Sequence, residues 1–77
     1  MAGYYEVDVK KLKAIMLENN IKNVSELSKK SNISSSTLSL VLNNKRRPST
    51  LVMEKLTIAL KIPPSLAGEI FFKNKLA

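Results

Sequence analysis

The side chains able to do chemistry in this sequence are hydroxyls, carboxamides and cations, and they gather between Lys22 and Arg47. Ser34, Ser35, Ser36, Thr37 and Ser39 stand close together, Asn43 and Asn44 follow, and Lys45-Arg46-Arg47 closes the run. Such groups exchange hydrogen bonds and attract anions. The chain has no Cys and no His, which excludes thiol catalysis, a disulfide framework, zinc-finger sites and imidazole general-base chemistry. A Ser beside a Lys can form a nucleophile pair, but 77 residues make one small domain with no deep cleft and no oxyanion site to support it. No catalytic residue, cofactor, metal or small-molecule substrate is expected.

Charge narrows the choice of partner. Thirteen Lys/Arg against six Asp/Glu give a net charge of +7, a field that draws an anionic partner. The charge is unevenly spread. From Leu27 to Met53 there is no acid at all, while Lys29, Lys30, Lys45, Arg46 and Arg47 all lie in that stretch. One reading is a solvated face that lacks acids by accident. The other is a surface cleared of repulsion toward phosphates.

The elements that must position these residues are helices. Hydrophobic residues are 44% of the chain, with only two Gly and three Pro, which suits a globular bundle rather than a disordered basic tail. The longest aliphatic run, Ala14 to Leu17, is far short of the ~20 residues of a membrane span, and no basic-then-apolar signal peptide opens the chain. A cytoplasmic protein with no membrane contact is expected. The apolar spacing and start signals predict five helices: Asp8 caps the first, Asn23 the second, Ser34 the third, Ser49-Thr50 starts the fourth, and Pro63-Pro64 opens a short fifth. Asn23 with Glu26 reads as a capping box. The paired asparagines Asn19-Asn20 and Asn43-Asn44 stop helices. Residues 1–7 are expected as a flexible arm, 8–72 as the domain and 73–77 as a tail.

The second and third helices, Asn23–Ser31 and Ser34–Asn43, are joined by only a few residues, the sequence form of a helix-turn-helix. In the third helix Leu38, Val41 and Leu42 form the buried stripe. The other side carries Ser36, Ser39, Leu40 and Asn43, with Ser35 at the amino-terminal end. A helix made only for water would carry Lys, Glu or Arg there. Short hydroxyl side chains let a helix sit deep in the major groove of DNA, where Ser can bond base edges and Leu40 can pack on a thymine methyl. Leu40 is equally open to a protein contact or partial burial, and Ser34 to plain capping. Lys10, Lys11 and Lys13 read as solvated, because the arm ahead of them contains no Lys or Arg for a minor groove.

These residues resemble the phage Cro and lambda-repressor class of helix-turn-helix regulators, the Xre family, from about Asp8 to Phe71. The resemblance is carried by Ser25-Glu26-Leu27-Ser28-Lys29-Lys30-Ser31-Asn32-Ile33-Ser34, by Ser36-Thr37-Leu38-Ser39, by Asn43-Asn44-Lys45-Arg46-Arg47-Pro48-Ser49 and by Lys55-Leu56-Thr57-Ile58-Ala59-Leu60-Lys61-Ile62. It implies an all-α, compact five-helix lambda-repressor-like domain. It also implies a recognition helix with Ser35, Ser36, Ser39 and Leu40 toward the bases of double-stranded operator DNA; Asn43, by its own chemistry, can bond a base or a phosphate. Phosphate contacts are implied for Lys22, Asn23 and Val24 on one side of the groove, and for Asn44, Lys45, Arg46 and Arg47 on the other.

The chain departs from the family at several of these positions. Val24 stands where many members have a phosphate-binding Gln. Asn32 and Asn44 stand where they have Gly, and Asn is the non-Gly residue most at ease with positive φ. Ser and Leu replace Arg or Gln among the base readers, so modest or shape-assisted specificity is expected.

Phe71 and Phe72 are adjacent and cannot share one helix face. With Leu66 and Ile70 closing the core, one of the two Phe residues is therefore a candidate for an exposed contact, as a homodimer patch or for another protein, with simple core closure as the remaining reading. The resemblance favours a homodimer on DNA. No ligand-sensing domain is legible, so a Cro-type transcriptional regulator of phage, prophage or mobile-element origin is expected. Val24 and Leu40 leave open a different class, a small antirepressor or antitoxin-like module that captures a partner repressor. A non-specific DNA-coating protein driven by charge alone is a third reading.

Overall fold

The computed structural model describes residues Tyr4–Lys75. Five helices follow a two-residue strand and precede another: β1 (Tyr5–Glu6), α1 (Val9–Glu18), α2 (Val24–Ser31), α3 (Ser35–Leu42), α4 (Thr50–Leu60), α5 (Pro64–Phe71) and β2 (Lys73–Asn74). The all-α, five-helix architecture expected from the sequence is the one observed.

Each helix starts where the local chemistry dictates. The side chains of Asp8, Asn23, Ser34 and Ser49 accept from the third backbone N–H beyond them, belonging to Lys11, Glu26, Thr37 and Val52. Each satisfies a donor that the helix itself cannot. Pro63 precedes α5 and Pro64 is its first residue, where a missing N–H costs nothing. The capping box at Asn23 is offset by one residue: Glu26 Oε1 accepts from the Lys22 N–H at 2.8 Å rather than from that of Asn23.

The helix ends share one device. Asn20, Asn32, Asn44 and Lys61 have φ of 61°, 60°, 53° and 53°, and no described Gly is left-handed. At three of them the same pair of bonds closes the helix: Asn20 N to Leu17 O with Ile21 N to Met16 O, Asn44 N to Val41 O with Lys45 N to Leu40 O, and Lys61 N to Ile58 O with Ile62 N to Thr57 O. This is the Schellman arrangement, which turns the chain sharply and satisfies orphan carbonyls. Asparagine fills three of the four positions because its short carboxamide tolerates the left-handed region.

The core gathers one stripe from each helix: Leu12 and Met16, Leu27, Leu38 with Val41 and Leu42, Leu56 and Leu60, and Ile70 with Phe71. Ile21, Ile33 and Ile62 plug the turns between them. No buried side-chain nitrogen or oxygen among the described residues lacks a partner.

The termini correct one expectation. Tyr5–Glu6 and Lys73–Asn74, read from the sequence as parts of an arm and a tail, pair as an antiparallel ribbon with Tyr5 opposite Asn74 and Glu6 opposite Lys73. Lys75 N donates to Tyr4 O at 2.8 Å, and the Tyr5 and Phe72 rings meet edge to face with centroids 6.0 Å apart. Residues 1–3 and 76–77 of the expected arm and tail lie outside the described residues.

Candidate nucleic-acid interface

The turn between α2 and α3 is held from three sides. Asn32 takes the left-handed conformation and its N–H donates to Ser28 O at 2.9 Å. Ser28 Oγ donates to Ile33 O at 2.6 Å while the Ile33 side chain is buried. Lys55 Nζ, from α4, donates to Asn32 O at 3.2 Å. Ser31, buried, donates its hydroxyl to Leu27 O within α2. The two helices therefore pack against each other, and α2 in turn packs on α4.

That support fixes which face of α3 is free. Leu38, Val41 and Leu42 are buried, as their spacing predicts, and Ser35, Ser36, Ser39, Leu40 and Asn43 are all exposed. At 100° per residue these five fall within an arc of about 140°. Leu40 is 38% exposed, an apolar side chain at one edge of that polar arc. Ser34 is spent on the cap: its Oγ accepts from Thr37 N at 3.2 Å and donates to Thr37 Oγ1 at 2.9 Å. Asn43 Nδ2 donates to Ser39 O at 2.8 Å, which leaves its carbonyl oxygen and its second amide N–H for an outside partner.

The two flanks differ. At the start of α2, Asn23 uses its side chain for the Glu26 N–H, so what it offers outward is backbone. The N–H groups of Val24 and Ser25 precede the first helical bond, that of Leu27 N to Asn23 O, and are available to an anion. Ser25 is exposed there and was not singled out from the sequence, although the first turn of a helix is the signal for it. The Glu26 carboxylate lies in the same turn with one oxygen held by the Lys22 N–H, and the Lys22 side chain is exposed beside it. Val24 is half-buried and packs against the core.

At the far end of α3, the loop from Asn44 to Arg47 places its members unequally. Lys45 and Arg46 are exposed, and their side chains hold no hydrogen bond or ion pair among the described residues. Asn44 pairs with the Val7 backbone in both directions, accepting from N and donating to O at 3.1 Å each. Arg47 Nη1 donates to Phe71 O at 2.7 Å, with the guanidinium carbon 5.3 Å from the centre of the Phe72 ring. Both were expected to hold phosphate, and neither engagement is written in the local sequence, since their partners lie far along the chain.

The aromatic pair separates cleanly. Phe71 is 2% exposed and belongs to the core, so it leaves the expected interface pair, because the phase of α5 points it inward beside Ile70. Phe72, the residue that ends α5, is 50% exposed.

The model of the Cro/C1-type HTH DNA-binding domain matches residues 11–65. That stretch runs from α1 into α5 and contains the whole of the α2–turn–α3 unit and the loop after it. The chain belongs to this family, and with it to the helix-turn-helix class of DNA-binding regulators. No curated protein and no solved structure matches the chain significantly. Among the described residues no helix is long and apolar enough to cross a membrane.

Proposed function

We propose that the protein is a sequence-specific regulator of the Cro type that lays α3 in the major groove of double-stranded operator DNA. The observation that carries this reading is the exposed face of Ser35, Ser36, Ser39, Leu40 and Asn43, uncharged and flanked by free cations and helix N–H groups. Ser hydroxyls and the Asn43 carbonyl meet base edges, and Leu40 meets thymine methyls. Lys45 and Arg46 hold phosphates on one strand. The N–H groups of Val24 and Ser25, with Lys22, hold them on the other. The protein is of the compact kind carried by phages, prophages and mobile elements, and it works on DNA in the cytoplasm of a bacterial host.

The same reading includes a homodimer through the carboxyl-terminal face. Ile58 is 78% exposed and Phe72 half exposed, and both line an apolar groove of about 400 Å³ between α4 and α5. Gly68 lies in that groove within a helix, where glycine is disfavoured, and a Cβ there would meet nothing within 4 Å. The fold of one copy gives no reason for a glycine at this place. A second copy approaching closely does.

Ser39→Glu tests the reading directly. Ser39 is exposed, so the fold survives, while a carboxylate placed in the groove is repelled by DNA. Loss of binding to a labelled duplex with an unchanged thermal melt is expected. Unchanged binding would put the DNA elsewhere on the protein. A second reading, capture of a partner repressor by the same face, is favoured by Leu40 and by the absence of a phosphate-binding side chain at Val24. A repressor retained through the α3 face in the presence of excess operator would establish it.

A further inference from the structure

The loop after the recognition helix carries three cations in a row, yet only the first two are free. Asn44 opens the loop and is bonded on both sides of its carboxamide to Val7. Arg47 closes it and is bonded to the Phe71 carbonyl and stacked on Phe72. Those partners belong to one unit. Val7 follows β1 and is buried; the next residue, Asp8, donates its N–H to Ile70 O at 2.6 Å. Phe72 leads into β2, which pairs with β1, and its ring touches Tyr5. Both ends of the loop are therefore tied to residues that adjoin the β1–β2 ribbon, and Lys45 and Arg46 are the two residues between the ties.

A tie of this kind matters for binding a polyanion. A cationic loop that is loose before binding must be ordered when it meets phosphate, and that entropy is subtracted from the contact. A loop already fixed at both ends offers its cations at lower cost. We infer that Asn44 and Arg47 are positioning residues: they clamp the α3–α4 loop to the terminal ribbon so that Lys45 and Arg46 are preset for two phosphates. The ribbon thus contributes to DNA affinity without touching DNA. This rests on the DNA-binding reading above and gives another role to two residues that the family resemblance placed on phosphate.

Two variants test it without altering net charge. Asn44→Gly keeps a residue suited to the left-handed backbone and deletes both bonds to Val7. Arg47→Lys keeps the cation but loses the planar group that both donates to the carbonyl and stacks on the ring. Each is titrated against a labelled duplex of about 20 base pairs, roughly two turns of DNA, between about 50 and about 200 mM salt. Amide exchange is followed at Lys45, whose N–H is held by Leu40 O, and at buried Val41.

For both variants the expected result is binding weakened about 3- to 10-fold, with a salt slope unchanged because the phosphates engaged are the same. Exchange at Lys45 should quicken while Val41 stays protected. Full-strength binding by both variants would overturn the inference. So would full rescue by Arg47→Lys beside an Arg47→Met variant whose slope drops by about 0.9, since that is the behaviour of a direct phosphate contact. If the wild-type protein itself shows no affinity for the duplex, the DNA-binding reading fails and the inference fails with it.

Discussion

Lys55 Nζ donates to the Asn32 carbonyl at 3.2 Å, so a cation on α4 braces the turn between α2 and α3. One of the chain's positive charges is thereby engaged within the fold. Lys55→Met keeps the length of the stem and removes the donor. The expected cost is about 1 kcal/mol of stability, seen as a melting temperature lower by about 4–8 °C for a domain of this size. The salt slope of DNA binding should not change. A fall in slope without a fall in stability would instead place Lys55 on the DNA.

Lys61 ends α4 in the left-handed region, where a lysine has neither glycine's freedom nor asparagine's short polar side chain. Its N–H completes the same pair of bonds that Asn20 and Asn44 complete at their helices. Lys61→Gly should therefore stabilise the protein by about 1 kcal/mol, the steric relief exceeding the entropy glycine adds to the unfolded chain. Urea unfolding measures this. A destabilised variant would show that the lysine stem contributes packing that outweighs its backbone strain.

Much of the fold was legible because its signals are local. All four side-chain caps, at Asp8, Asn23, Ser34 and Ser49, act within three residues of themselves. The buried stripe of α3 follows from its period alone. The terminal ribbon was not legible, because Tyr5 and Asn74 lie at opposite ends of the chain and two-residue strands have no periodicity to read. For the same reason Asn44 and Arg47 looked like loop residues waiting for phosphate. Their types fit that role, and only the tertiary fold brings Val7 and Phe72 to them. Phe71 and Phe72 were equivalent in sequence until the exact phase and end of α5 buried one and exposed the other.

The two classes of contact at the interface should respond differently. Replacing Lys45 and Arg46 together by Ala should weaken binding to every sequence and lower the salt slope by about 2, one phosphate for each. Ser36→Ala or Leu40→Ala should leave the slope alone and change the preference among sites, each lost base interaction costing about 1–3 kcal/mol. Equal losses on cognate and scrambled duplexes from Ser36→Ala would remove that residue from base readout.

Ile58 and Gly68 test the dimer. Ile58→Lys should fold as well as wild type, because Ile58 is exposed, yet fail to occupy two half-sites together. Gly68→Ala should raise monomer stability by about 0.5–1 kcal/mol, since the added methyl meets nothing. Sedimentation with and without DNA distinguishes the outcomes. Undiminished dimer formation by Ile58→Lys would move the interface away from the α4–α5 groove.

Lys11 and Glu69 form an exposed ion pair at 2.7 Å that links α1 to α5. The hydrogen bond that Lys11 Nζ donates to the Glu69 carboxylate, partly offset by desolvation and aided by the Glu69 and Asp8 charges, raises the Lys11 pKa. A cation stabilised in the fold contributes below its ordinary pKa and loses that contribution as pH rises through the raised one. The difference in urea midpoint between wild type and Lys11→Met should therefore be constant from about pH 6 to about pH 9 and shrink only in strong alkali. It should also shrink in about 1 M salt, as expected of an exposed pair. A difference that vanished near neutral pH would assign the effect to another group.

The most direct test of the whole account is selection of bound sites from random double-stranded DNA at about 150 mM salt, where distant attraction is screened. An α3 helix that reads bases from a paired protein predicts an inverted repeat with half-site centres about 10 base pairs apart. A folded protein that enriches no motif would contradict operator recognition, and would turn the exposed face of Ser35, Ser36, Ser39, Leu40 and Asn43 toward a protein partner instead.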